Sequence, residues 1–293
     1  MPVLVLHLLG EALQRHWQRH RDARRRCRQN CTEDSVHELR TEARRLLACL
    51  DLLEVMYFFS ALTEARRLVK RRLTSSSALR DLHVQLSLLA GMSGAEVELG
   101  LFRAQLLAEE ARESRLLAQK LRKPGLAQRI TALGKFLSWM PTDRRSDRRL
   151  HRLLGSMMAR RFDRMAELQR RALADARSIH PARVALKKFR YMAEVLQLAL
   201  GPACTDELEL LHRCQSMQGA IHDLDLILAR LATEKTPTGE IPRTTRRELA
   251  RRRSALWRSY RALAGRCFRD RRALSRMKKT LAHPGAALPA GRK

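Results

Sequence analysis

Residues 179–192 read IHPARVALKKFRYM, and the reading of this stretch decides the fold. At ~100° per residue, with His180 at 0°, Arg183 falls near ~300°, Lys187 near ~340° and Arg190 near ~280°. Lys188 lies on the flank of this group, near ~80°. Ala182, Ala185, Phe189, Ala193 and Leu196 gather at ~140–220°, on the opposite side. The stretch is therefore a helix with one face that packs and one face that is a stripe of hydrogen-bond donors, with no acidic residue in it.

A second copy lies upstream. Residues 36–47 read VHELRTEARRLL, and His37 falls on His180 at an offset of 143 residues. Arg40 then matches Arg183, Arg44 matches Lys187 and Arg45 matches Lys188, while Leu47 stands where Arg190 stands. Glu38 and Glu42 weaken this first stripe. A different pair of segments repeats at nearly the same spacing. Residues 78–86, ALRDLHVQL, align with 220–228, AIHDLDLIL, when Asp81 is placed on Asp223 at an offset of 142. Arg80 then matches His222, and His83 matches Asp225. Two independent segments sharing an offset to within one residue point to tandem duplication of a unit of roughly 140 residues.

Working outward, residues 4–28 carry Leu6, Leu9, Leu13 and Trp17 at helical spacing. Thr32 or Ser35 is placed to cap the next helix, which runs to about Leu53. Residues 57–73 form an amphipathic helix, 74–77 a break, and the helix bearing Arg80 and Asp81 comes next. A long helix over 95–121 and a short one over 126–139 complete the first unit. The stretch PTDRRSDRR, residues 141–149, reads as the boundary between units. Beyond it come a helix over 151–179, the quoted stretch, a helix over 206–230, a polar loop over 233–245 and a very basic helix over 245–277. The tail, 278–293, has the composition of a disordered segment. No strand alternation, hairpin dipeptide or glycine-rich phosphate loop is present. The fold class is all-α, and short loops between long helices imply two antiparallel helical bundles.

Charge narrows the partners. The 293 residues hold 59 Lys and Arg against 30 Asp and Glu, a formal net charge of +29. A field of that size concentrates polyanions and speeds their arrival. Nucleic acid, polyphosphate, anionic lipid and acidic proteins are the candidates. No apolar run is long enough to span a membrane, and the opening apolar residues are too few for a signal peptide, so a cytoplasmic protein is expected. Cys27, Cys31, Cys49, Cys204, Cys214 and Cys267 contain no CxxC pair and read as reduced thiols. Trp17, Trp139 and Trp257 sit among aliphatics and are expected in the core. Aromatics are only 4% of the chain, which argues for a ligand with phosphates and no bases, since proteins that hold single strands stack bases on aromatics.

The spacing H-x-x-R-(x)3-[KR]-[KR] opening each half, with R-D-L or H-D-L later in each, resembles the CHAD family, the conserved histidine α-helical domain. The resemblance covers about residues 4–274, as one CHAD-like domain with repeat units over about 4–140 and 141–274. HPARVALKKFRY and LHRCQSMQGAIHDLDLIL carry it most closely, and the first half departs from it at Leu47 and His83. The resemblance implies a pseudo-twofold relation between the bundles, a basic central cavity or groove, and binding of inorganic polyphosphate. The residues expected to bind are His37, Arg40, Arg44, Arg45, Arg80, His180, Arg183, Lys187, Lys188, Arg190 and His222. Asp81 and Asp223 are expected to pair with these cations and hold them in place.

For the histidines the preferred role is donation to a phosphate oxygen; packing near a helix start is the alternative. No metal-ligand spacing accompanies them, and no clustered acidic metal site suggests phosphoryl chemistry. The expectation is a non-enzymatic polyphosphate binder without cofactor or metal, possible association with polyphosphate granules, and weak non-specific contact with nucleic acid. The competing reading is a nucleic-acid-binding basic helical protein, for which neither a helix-turn-helix signature nor interleaved aromatics is present.

Overall fold

The apolar face of the quoted stretch does bury, and the chain folds around it. In a computed structural model, residues 5–56, 60–92, 99–122, 127–139, 144–196, 204–233 and 243–268 are described, together with Leu274, Met277 and Thr280. These residues form α1 (Val5–Gln29), α2 (Glu33–Glu54), α3 (Ser60–Ser75), α4 (Ser77–Ala90), α5 (Gly100–Arg122), α6 (Ala127–Trp139), α7 (Arg144–Ala174), a 3-10 turn (Ala176–Ser178), α8 (Ile179–Val195), α9 (Thr205–Thr233) and α10 (Arg243–Phe268). Among the described residues there is no strand.

The two helices that carry the stripes start from favourable local chemistry. Thr32 caps α2 in an extended conformation, its hydroxyl accepting from the Ser35 amide at 3.2 Å, and Glu33 and Asp34 place negative charge at the positive end of the helix. In α8, Pro181 occupies the first turn, where its missing N–H costs nothing. Ala182, Leu186, Phe189, Met192 and Ala193 are then fully buried, the spacing of one helix face. They join the main core with Leu6, Leu9 and Leu13 of α1 and Leu46, Leu50 and Leu53 of α2.

A buried polar network locks four helices beneath this core. Gln218 Nε2 of α9 donates to Gln169 Oε1 of α7 at 2.9 Å and to Tyr260 Oη of α10 at 3.0 Å. Tyr260 Oη in turn donates to Gln169 Oε1, and Gln169 Nε2 donates to the Ala182 carbonyl of α8 at 2.9 Å. Each side chain of the network is bonded, as burial of amides requires, although Gln218 Oε1 is left without a partner among the described residues. A second cluster, with Leu82, Phe102, Leu106, Leu224, Ile227 and Leu249, ties α4 and α5 to α9 and α10. As a result α2 packs on α8, α8 on α9, and α9 on α4.

Several boundaries differ from expectation. The stretch 141–149 is not simply a linker: Arg144 onward is already α7, Asp147 sits in its first turn, and Val5 N donates to Asp147 Oδ1 at 3.0 Å. The break at 74–77 shrinks to Ser76 alone. The last helix is described over Arg243–Phe268, and beyond it Leu274 and Met277 are buried in the main core. Trp17 is buried, and Trp257 is half-buried against the core. The Trp139 side chain, the loop residues 234–242 and the tail beyond Thr280 lie outside the described residues.

Candidate functional site: a composite basic cluster

The two stripes meet. Because α2 packs against α8, Arg40 and Arg44 lie in the same field as Arg183 and Lys187, and burial with these neighbouring cations lowers the proton affinity of Arg40, Arg183 and Lys187. Because α9 packs against both α8 and α4, Asp81 and Asp223 enter the same cluster, each within the field of Arg183, Arg80 and Lys187. His222 of α9 comes beside His180, ring centroids 6.1 Å apart. His37 sits at the start of α2, in the field of Arg80 and Arg44.

The electrostatics are those of cations without an ion-pair partner, with only Asp223 and Asp81 nearby to offset them. Among the described residues Arg44, Arg183 and Lys187 form no ion pair, and the buried Nε of Arg183 has no hydrogen-bond partner. Burial, then Arg44, Arg183 and Arg40, pushes the Lys187 ammonium down to about 7. Burial, then Arg183, His180 and Lys187, lowers His222 to about 4. His37 is lowered too, by burial and then by Arg80 and Arg44. His37 and His222 are therefore neutral imidazoles at neutral pH, each with one N–H to donate.

Arg40 is held differently. Burial and then Arg44 lower it to about 10, and its Nη1 donates to the Leu73 carbonyl at 2.8 Å, Ser76 Oγ at 3.0 Å and Ser77 Oγ at 3.1 Å. The serine run that reads in sequence as a mere break is thus a cradle for Arg40. Arg80 is partly neutralised, its Nη1 donating to Glu33 Oε1 at 2.7 Å.

The remaining expected cations are not in the cluster. Arg190 is 7% exposed rather than on an open stripe. Its Nη1 donates to Glu194, its Nε donates to Gln215 Oε1 at 2.8 Å, and its guanidinium lies 4.5 Å from the centre of the Tyr191 ring. The cause is that α8 is covered by α2, α7 and α9 and not by one neighbour. Arg45 and Lys188, on the flanks, cross between the helices: Arg45 Nε reaches Glu194 of α8 at 3.5 Å, and Lys188 Nζ reaches Asp51 of α2 at 3.1 Å. The exchange is reciprocal, since Arg45 aligns with Lys188 and Asp51 with Glu194 at the offset of 143. Arg45 also donates to Glu42 Oε1 at 2.6 Å, and Glu42 meets His16 Nδ1 at 2.8 Å, so the acid expected to weaken the first stripe is turned inward.

Asp81 and Asp223 correct another expectation. Neither forms an ion pair or hydrogen bond among the described residues, and burial raises both carboxyls above the usual carboxylate range. They moderate the field of the cluster and do not clamp individual side chains. His83 and Asp225, aligned in sequence, both turn away, to Glu110 at 3.2 Å and to Arg253 at 2.6 Å.

All six cysteines are free and buried. Among the described residues no group of three or more His, Cys, Asp or Glu is placed to hold a metal ion, and no helix is long and apolar enough to cross a membrane.

An all-helical protein with a composite site of basic helices is the class that this architecture defines. The chain belongs to the CHAD domain family, whose model matches residues 9–232. Among solved structures it is similar to the CHAD domain from the plant Ricinus communis, at 17% identity and a TM-score of 0.60, covering 99% of this chain and 94% of that one. At that identity the likeness speaks for the fold. No curated protein sequence matches the chain.

Proposed function

We propose that the chain binds inorganic polyphosphate, without turnover, at the cluster formed by α2, α4, α8 and α9. One observation carries the reading: Arg44, Arg183 and Lys187 are brought together with no ion pair among the described residues to neutralise them. Holding like charges together in a half-buried place is unfavourable unless an anion completes it. A chain of phosphates supplies several negative oxygens at short spacing, and guanidinium groups suit them by bidentate geometry. His37, His180 and His222 rim the cluster as donors, and Arg40 and Arg80 add to the field. Family membership supports the ligand class. The protein acts as a cytoplasmic binder, at granules or diffuse, and needs no cofactor for this role.

Titration of the full chain with a polyphosphate of defined length, across salt and pH, tests this. Each phosphate neutralised contributes a log–log salt slope of roughly 0.7–0.9, by analogy with nucleic acid, so three contacts give a slope of about −2 to −3. A constant that is flat with salt ends the electrostatic reading. The pH arm has a definite sign. Lys187 titrates at about 7 without ligand, and a bound anion raises it, so binding takes up a proton. Affinity is therefore highest at and below pH 7 and falls as pH rises above it. Lys187→Arg, which stays charged, flattens the profile between pH 7 and 9. An unchanged profile in that variant removes Lys187 from the site.

A further inference from the structure

The outward face of α10 carries a second basic surface. At ~100° per residue, Arg247, Arg251, Ser254 and Arg258 fall within ~60° of one another. They lie opposite Leu249, Tyr260 and Cys267, which are 0%, 0% and 2% exposed. Arg247, Arg251, Arg258 and the neighbouring Arg261 are all exposed. Ala250 and Ser254 leave only a shallow, open depression between Arg247, Arg251 and Arg258. The sole acid of α10, Glu248, is taken by Arg252 at 2.9 Å, and Asp225 of α9 is taken by Arg253. None of the four ridge arginines has an acidic partner among the described residues. The inner side of α10 packs on α9 and α7, so the ridge points away from the cluster, and it lies beyond the residues 9–232 matched by the family model.

We propose that this ridge binds the sugar–phosphate backbone of a nucleic-acid duplex without reading its sequence. The charge calls for a polyanion, and exposed arginines in a row pair with phosphates bidentately. An acidic protein would answer the charge, but protein interfaces are built around an apolar or aromatic anchor, and this face offers only Ala250 between its arginines. A single strand would need exposed aromatics for its bases, whereas Trp257 is half-buried against the core and tilted against Tyr260 with ring centroids 5.5 Å apart. What remains is a convex ridge about 10–12 Å across, with arginines ~6 Å and then ~10 Å apart along the axis. Such a ridge fits between the phosphate strands of a duplex groove, and it contrasts with the dense half-buried cluster proposed for polyphosphate.

The test is fluorescence anisotropy of the full chain with a short labelled DNA duplex. The triple variant Arg247→Ala/Arg251→Ala/Arg258→Ala loses at least tenfold in affinity at low salt, and its log–log salt slope falls by about 2.7, three phosphates at ~0.9 each. Its binding of polyphosphate stays within twofold, which also reports that it is folded. Removing three exposed arginines of α7 instead, Arg148→Ala/Arg149→Ala/Arg152→Ala, costs the duplex no more than about twofold. Equal losses in the two triples overturn the proposal in favour of diffuse charge. So does loss of duplex binding on substitution of Arg183 and Lys187 alone, or a ridge variant that loses poly-glutamate but keeps the duplex.

Discussion

Replacing Arg183 and Lys187 together by alanine lowers the affinity of the full chain for polyphosphate by about a hundredfold or more. Neither has an ion pair among the described residues, both lie in the field of Arg44, and Lys187 also feels Arg183. A charge-assisted hydrogen bond contributes roughly 1.5–3 kcal/mol, hence about tenfold or more per residue. Arg252, exposed and paired with Glu248, is the control. Its removal changes only a screened field, since charges separated by more than about 8 Å at physiological salt contribute little. Arg252→Ala therefore costs less than about twofold. Arg44→Ala falls with the first group. Arg40→Ala has a mixed effect, because it also opens the cradle of Leu73, Ser76 and Ser77. If Arg252→Ala weakens binding as much as Arg183→Ala, position does not matter and the cluster is not the site.

Arg190→Ala destabilises the fold by about 3 kcal/mol, the low end of the range for breaking a buried ion pair. The side chain is 8% exposed and Glu194 23%. Its loss leaves Gln215 without its donor and Glu194 with only the longer contact to Arg45. Chemical denaturation reads this directly. Lys188→Ala is the comparison: Lys188 is 41% exposed in its pair with Asp51, which also holds Arg66, so its loss costs at most about 1 kcal/mol. Equal costs for the two substitutions would return Arg190 to the open stripe. The sequence pattern alone implies the opposite outcome for stability, since a helical wheel places Arg190 beside Arg183 on the binding face, where its removal would weaken ligand binding and leave the fold intact.

That contrast marks what the amino-acid pattern reveals. Helix existence is legible because each helix announces itself by a buried face at helical spacing, as Ala182, Leu186, Phe189 and Ala193 do. The family is legible from two short motifs. The membership of the cluster is legible in part: Arg44, Arg183, Lys187 and His222 come together, while Arg45, Lys188 and Arg190 do not. A wheel treats a helix as having one wet and one dry side, but α8 has neighbours on three sides. Glu194, four residues after Arg190, is the available signal, because that spacing places an acid directly over the base. The Arg40 cradle is hidden for another reason. A run of serines reads as a helix break, and only tertiary packing shows that it faces a buried guanidinium. The role of Asp81 and Asp223 is misread from sequence because proximity in a cluster does not imply contact.

The crossed ties from Arg45 to Glu194 and from Lys188 to Asp51 have a consequence for how a guest is judged. Either tie alone is weak, but two opposed ones, on top of the packing of α2 against α8, set both the separation and the angle of the basic helices. The basic faces of α2 and α8 are therefore held at a fixed spacing. Ordering of the receptor is completed at folding, so association is not burdened by it. On the proposed polyphosphate reading, the ligand's charges have to match a ruler that does not stretch, and the flexible chain gives up its freedom to meet a partner that gives up almost none.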